Sequence, residues 1–390
     1  MAECADRIYL DNASTSFPKP PCVVEAVCAY MTEQGTNVGR GDYSDAWDVE
    51  DALLDTRERV CTLLHGPNTR DVVFTRNVTE ALNLVLKGML HEGDHVVVSS
   101  MEHNAVMRPL SQLSQRGVTF SRAACAPDGT LDVAEVEKLL GPLTRAVVMT
   151  HASNVCGTIL PIAEVGELCA SRGVTFVVDA AQTAGVVDVD MAAWHADAVC
   201  FAGHKGLLGP QGTGGVVLSD KLAHELEPLV AGGTGSASDR EEMPDFMPDR
   251  LEAGTPNLPG LMGLRASLAW LVDRGIDTVR EHELALTGEF LDGLVGLEAR
   301  GLVRVVGLSG MSGRVGVVSI QTPGRDPALV AHELDVTYGI QTRVGLHCAP
   351  SAHRTLGTYP EGTIRFSFGW ANKSADVAAA LLALEKVLTM

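Results

Sequence analysis

The chain has 390 residues, 46% of them hydrophobic and 20% charged, with a formal net charge of −19. That length exceeds one ordinary hydrophobic core and predicts a large and a smaller domain, while the acidic surplus opposes nucleic-acid binding, which needs Lys and Arg to neutralise phosphates. No apolar run approaches a membrane span, the opening MAECADRIYLDNAS lacks the basic and apolar regions of a secretory signal, and the nine cysteines, without any C-x-x-C pair, fit a reducing cytoplasm rather than a disulfide framework or a zinc ribbon.

Between about residue 70 and residue 220, short apolar runs alternate with helix-period segments: DVVFT (71–75), HVVVSS (95–100), GVTFSR (117–122), RAVVMT (145–150), VTFVVD (174–179), DAVCFAG (197–203) and GGVVLS (214–219). Such alternation predicts a mostly parallel α/β sheet covered by helices. The first connecting helix is marked by Val78, Ala81, Leu82, Val85, Leu86 and Met89 on one face, with Asn77 and Glu80 forming a capping-box-like start. The segment 232–250, rich in Gly, Ser, Pro and acids, predicts an active-site or interface loop. From residue 251 the pattern changes to a long helical stretch (258–296), strands near 302–306 and 314–321, a helix near 326–335, strands near 340–344 and 363–368, and an amphipathic helical tail (374–388). The expected division is a large domain at 16–257 and a small α+β domain formed by 1–15 with 258–390.

Ligands of open α/β sheets bind beyond the carboxyl ends of the strands. Three apolar runs are followed there by polar residues: Ser153 and Asn154, Asp179, and His204 with Lys205. A lysine for a Schiff base and a carboxylate to hold a pyridinium proton are what a pyridoxal 5′-phosphate (PLP) site needs. The glycine-rich GPQGTGG (209–215) lacks the spacing of a phosphate-binding loop and precedes a strand, so it reads as a tight turn beside Lys205. Cys348, in the loop-like RVGLHCAPSAH (343–353), is the best candidate for a nucleophilic thiol, because basic neighbours favour a thiolate. An inert buried thiol, or a metal site of His347, Cys348 and His353, are the other readings of that segment.

The segments YLDNAST (9–15), TEALNLV (79–85), MEHNAV (101–106), SNVCGT (153–158), VDAAQ (178–182), GHKGLLGPQGTGG (203–215), EAGTPN (252–257), RVGLHCAP (343–350) and IRFSFG (364–369) resemble the class V aminotransferase family, and within it the cysteine desulfurase and selenocysteine lyase branch. The resemblance implies fold type I of the PLP-dependent transferases, with a seven-stranded sheet in the large domain. It implies that Lys205 carries PLP, Asp179 pairs with the pyridine nitrogen, Gln182 contacts the phenolic oxygen and His103 stacks on the ring and assists proton transfers. Thr79 and His204 would bind the phosphate, with Thr255 reaching the phosphate of a neighbouring subunit, so a homodimer is implied. Relatives commonly have a hydroxyl where this chain has Ala202, and some have a second histidine where it has Leu346.

Arg365, Asn154 and Arg343 would bind the substrate, L-cysteine or L-selenocysteine, and Cys348 would take the sulfur and pass it to an acceptor protein. Cys156, beside Asn154, is the competing thiol. The expected reaction is cysteine desulfuration; a selenocysteine lyase uses the same motifs, an aminotransferase or epimerase would need no thiol, and a silent PLP-binding scaffold would not need the whole set.

Overall fold

The computed structural model describes residues 7–39, 41 and 43–390. After a two-residue strand β1 (Ile8–Tyr9), the seven apolar runs form β2 (Val72–Thr75), β3 (His95–Ser99), β4 (Thr119–Ala123), β5 (Thr144–Thr150), β6 (Thr175–Asp179), β7 (Ala198–Ala202) and β8 (Gly214–Leu218). They make one seven-stranded sheet in the order β2-β8-β7-β6-β5-β3-β4. Only β8 runs against its neighbours; the other pairs are parallel. Strands β6, β7 and β8 are buried along their whole length, as expected when helices cover both faces.

Alternate side chains feed two cores. Val97, Val147, Phe176, Val199 and Phe201 face one side, where helix Leu258–Arg274 lays Leu261, Leu264, Leu268 and Leu271 on them. Val96, Val98, Val148, Val177 and Cys200 face the other, under helices Val78–Met89 and Asn104–Ser114. Cys200 thus packs as a small apolar residue, and burial pushes its thiol pKa well up.

Helix Val78–Met89 begins directly after β2. The Asn77 side chain accepts from the Glu80 amide at 3.0 Å, and the Glu80 carboxylate accepts from the Arg76 amide at 2.8 Å. Gly214 is required opposite this turn, since a Cβ there would lie 2.8 Å from the Asn77 backbone.

The second sheet is antiparallel, in the order β12-β13-β10-β9, from β9 (Arg304–Val306), β10 (Val317–Gln321), β12 (Arg343–Gly345) and β13 (Thr363–Ser367). The run expected as one strand near 340–344 is two. β11 (Ile340–Gln341) pairs in parallel with β1, whereas β12 pairs with β13, so the chain changes partner at Thr342. The long helical stretch likewise divides into Leu258–Arg274 and Ile276–Ala299 at Gly275, whose φ of +83° only glycine adopts readily. Helices Ile276–Ala299, Pro327–Tyr338 and Ser374–Thr389 supply a separate core with Phe366 and Phe368. Residues 232–250 contain no helix or strand.

Candidate active site

The carboxyl ends of β3, β5, β6 and β7 bring Glu102 and His103, His151 to Asn154, Asp179, and His204 with Lys205 to one edge of the large sheet. Asp179 closes β6 and is 3% exposed; one of its oxygens accepts from the Ala181 amide at 3.0 Å. Burial raises its pKa, opposed by that hydrogen bond and by the charge of Lys205. Desolvation lowers Lys205 to about 8, against the pull of Asp179. Lys205 lines a cavity of about 40 Å³ with Gln182, Asn12 and Glu283, and Gln182 Nε2 donates to the Ala13 carbonyl at 3.1 Å.

His103 is the N-cap of helix Asn104–Ser114: its Nδ1 accepts from the Ala105 amide at 3.0 Å. In the neutral ring the proton must therefore sit on Nε2. Burial, helped by the charges of Lys205 and Arg108, lowers the ring's pKa to about 4, so His103 is neutral at physiological pH.

Two arginines come from the small sheet. Arg343 and Arg365 are direct partners across β12 and β13. Arg365, 2% exposed, donates to the Asn154 carbonyl at 2.9 Å and to Asp11 and Ser14 at 2.7 Å each, leaving Nε without a partner. Arg343 also donates to Ser14 at 2.7 Å. Asn154 in turn donates to the His347 carbonyl at 2.8 Å, joining Arg365 to the loop that holds Cys348.

In that loop His347 and Cys348 both have left-handed backbones, φ +46° and +56°, a conformation costing non-glycine residues about 1–3 kcal/mol. The Cys348 carbonyl is fixed by the Asn104 amide at 2.8 Å, while its side chain is exposed in a cleft of about 420 Å³ with Thr79, His103 and Arg108. The basic neighbour expected in His347 turns away. Its ring is buried against Thr363 at 2.9 Å, and burial lowers its pKa to about 2, so it supplies no positive charge to the thiol. His353 is likewise buried, against Thr358 at 2.6 Å. Among the described residues no three metal-ligating side chains gather. Cys156 is fully buried in an apolar cluster with Met101, Val155 and Ala349, against the Thr158 hydroxyl at 3.2 Å.

Thr79 lies in the first turn of helix Val78–Met89, on the same cleft as Cys348. His204, held neutral with a pKa of about 4 by burial and by Lys205, has a buried Nδ1 without a partner. Thr255 faces a different opening, of about 370 Å³, with Arg76 and Glu80; within one chain it is not brought to the Lys205 cavity. Ala202, the last residue of β7, is buried and offers no hydroxyl. A desolvated lysine beside a buried carboxyl, a neutral imidazole, a partnerless His204 nitrogen and a nearby helix N-terminus together fit a PLP group.

Four positioning residues escaped the sequence reading. Asp11 and Ser14 hold Arg365 from more than 350 positions away in the chain, a contact that local pattern does not announce. Glu102 accepts from the Ser99 hydroxyl and from the Thr150 amide at 2.9 Å, tying the ends of β3 and β5; burial raises its pKa to about 8. Lys19 Nζ donates to the His204 carbonyl and to the Ser16 hydroxyl, both at 2.8 Å, steadying the residue before Lys205.

The aminotransferase class-V family model matches residues 8–380. The chain is 36% identical to a probable cysteine desulfurase of Methanothermobacter thermautotrophicus, over 99% of this chain and 96% of that one, and 34% identical to another of Halalkalibacterium halodurans, over 97% and 92%. Among solved structures it resembles the apo cysteine desulfurase of Thermococcus onnurineus, with a TM-score of 0.91 and 32% identity over 98% of this chain and 95% of that one. A cysteine desulfurase of Escherichia coli in its S-sulfonic acid form gives a TM-score of 0.87 and 30% identity over 98% and 95%.

Proposed function

Because the chain belongs to the aminotransferase class-V family and has its fold type I architecture, we propose that it is a PLP-dependent cysteine desulfurase, converting L-cysteine to L-alanine and leaving a persulfide on Cys348. The observation that carries this reading is the exposed Cys348 thiol on one cleft with His103, in a loop hydrogen-bonded through Asn154 to Arg365.

Lys205 would tether PLP, Asp179 would hold the ring-nitrogen proton, Gln182 and His103 would contact the ring, and Thr79 and His204 would bind its phosphate with Thr255 of a second subunit. When bound, PLP supplies the electron sink for charge at the substrate's α-carbon. The chain's own residues do the rest. Arg365, with Asn154 and Arg343, binds the α-carboxylate; Arg365 Nε is a guanidinium donor without a partner, and its planar fork suits a carboxylate. The lysine amine, lowered to about 8, exchanges protons near neutral pH. His103 carries its ring proton on Nε2 and lines the Cys348 cleft. The Cys348 thiolate attacks the substrate sulfur; an S–S bond forms, the C–S bond breaks, and the electron pair left on carbon is quenched by a proton to give alanine.

The reading assigns the cofactor to a large domain (16–257) and the sulfur loop to a small one (1–15 with 258–390), in a cytoplasmic homodimer that passes sulfur to an acceptor protein. The Thr255 opening, apart from Lys205, and the exposed Met31, Trp47 and Leu54 support the dimer. Among the described residues no helix is long and apolar enough to cross a membrane. Turnover of cysteine against selenocysteine, followed by alanine release, tests the reaction: alanine from cysteine is the expected result, and alanine from selenocysteine alone would make the protein a selenocysteine lyase.

A further inference from the structure

The cleft that exposes Cys348 has no acidic lining residue. With His103 neutral, its one charged side chain is Arg108. This arginine lies four residues after Asn104, whose amide holds the Cys348 carbonyl at 2.8 Å, and residues four apart share a helix face. Its charge already acts on the neighbouring His103 ring. Acidic residues outnumber basic ones 49 to 30 in this chain, and exposed arginines such as Arg172 and Arg300 pair with glutamates. The Arg108 guanidinium, also exposed, has no ion-pair or hydrogen-bond partner among the described residues. The arginines of the substrate pocket are engaged with Asp11, Ser14 and Asn154, so they do not serve this outer cleft.

We propose that Arg108 is the anion-receiving residue of the sulfur-transfer cleft, and that the acceptor which discharges Cys348 presents its thiolate beside a carboxylate. The inference rests on the reading of Cys348 as the persulfide carrier and names the chemical class of its second substrate. In the transfer, the acceptor thiolate attacks the outer persulfide sulfur. A new S–S bond forms, the bond to Cys348 Sγ breaks, and its electron pair leaves as the Cys348 thiolate, so no outside oxidant or reductant takes part. On a molecule of net charge −19 an anionic acceptor meets general repulsion, which a local cation at the point of reaction offsets.

The test compares the holoenzyme with Arg108→Gln and Arg108→Lys. First, without cysteine, Cys348 is alkylated by anionic iodoacetate and by neutral iodoacetamide, and modification at Cys348 is followed by peptide mapping. The iodoacetate-to-iodoacetamide rate ratio should fall roughly five-fold in Arg108→Gln, the size expected of one solvent-exposed charge a few ångströms away, and stay close to the original in Arg108→Lys. High salt should erase the difference. Second, the persulfide formed from cysteine is discharged with 3-mercaptopropionate or with 2-mercaptoethanol, and the ratio of discharge rates should fall similarly in Arg108→Gln. Ratios that Arg108→Gln leaves unchanged in either arm overturn the proposal. The alkylation arm needs no desulfuration, so a failure of Cys348 to form a persulfide counts against the proposed function, and an unchanged alkylation ratio counts against Arg108.

Discussion

The two halves of the site are built in opposite ways. At the end of the seven-stranded sheet, Asp179, Glu102 and Lys205 are desolvated at or just beyond strand ends, and burial moves all three toward neutrality. The loop of His347 and Cys348 instead holds an exposed Cys348 on two left-handed residues, anchored by three hydrogen bonds to Asn104, Asn154 and Thr363. On the proposed function, proton transfer at carbon uses groups whose pKa values burial has moved, whereas the thiol has to meet both a substrate in the pocket and an acceptor from solution. The difference teaches that the thiol's usefulness comes from where it is presented, because the neighbouring His347 is buried and uncharged.

The comparison breaks most sharply at Lys205. Lys205→Ala should abolish the borohydride-reducible PLP adduct and lower alanine formation by roughly 10³-fold or more; an adduct retained on another lysine would show that the buried end has a different tether. Asp179→Ala should leave the circular dichroism spectrum intact while lowering turnover by roughly 10²–10³-fold, the usual loss when a preorganised charge at a reacting group is removed. Near-normal turnover would transfer that role to another acid.

A third change strikes the join between the two halves. Asp11→Ala removes the carboxylate from buried Arg365. An unpaired buried charge costs about 3–5 kcal/mol, and because Asp11 is partly exposed the low end is expected in urea unfolding, together with a raised KM for cysteine. Unchanged stability and KM would mean that Arg365 is held by Ser14 and Asn154 alone.

The smallest effect is the pH profile of stability. His103, His151, His204 and His353 have folded pKa values lowered to about 4 and His347 to about 2, so below about pH 6.5 the unfolded chain takes up protons that the native one refuses, and stability falls as pH falls. Glu102 and Glu283, raised to about 8, act oppositely: their contribution is full below the ordinary glutamate range and is lost as pH rises through 8. Asp179 and Asp71 are raised in the same direction as these glutamates and His95 is lowered with the other histidines; the histidines outweigh the carboxyls on the acid side, so the PLP-free protein should be most stable near pH 6.5–7 in denaturant titrations. Stability still rising from pH 5 down to pH 4 would contradict the buried neutral histidines.

Much of this was legible in the sequence where chemistry and pattern are local. The seven apolar runs became the seven strands, because a sheet covered on both faces writes itself as continuous apolar segments. Asp179 and Lys205 stood out because each stands at or just after the end of such a run, whereas His103 was named through the family resemblance. What stayed hidden depends on distance along the chain. The change of partner at Thr342 needs β1 and β13 to be known first. The hold of Asp11 and Ser14 on Arg365 joins the two ends of the protein. The buried orientation of His347 follows from its bond to Thr363, so its closeness to Cys348 in sequence suggested a charge that packing removes.

On the proposed function, the buried end performs the carbon chemistry and Cys348 alone takes the sulfur. The most direct measurement is intact mass and peptide mapping of the PLP-loaded protein after a short exposure to cysteine, for the original chain, Cys348→Ser and Cys156→Ser. The account predicts one added sulfur on Cys348 in the original chain and in Cys156→Ser. In Cys348→Ser it predicts no persulfide, although cysteine still changes the cofactor absorbance, since Lys205, Asp179 and Arg365 are untouched and a serine hydroxyl cannot replace the thiolate. A persulfide found on Cys156, or full alanine formation by Cys348→Ser, would contradict it.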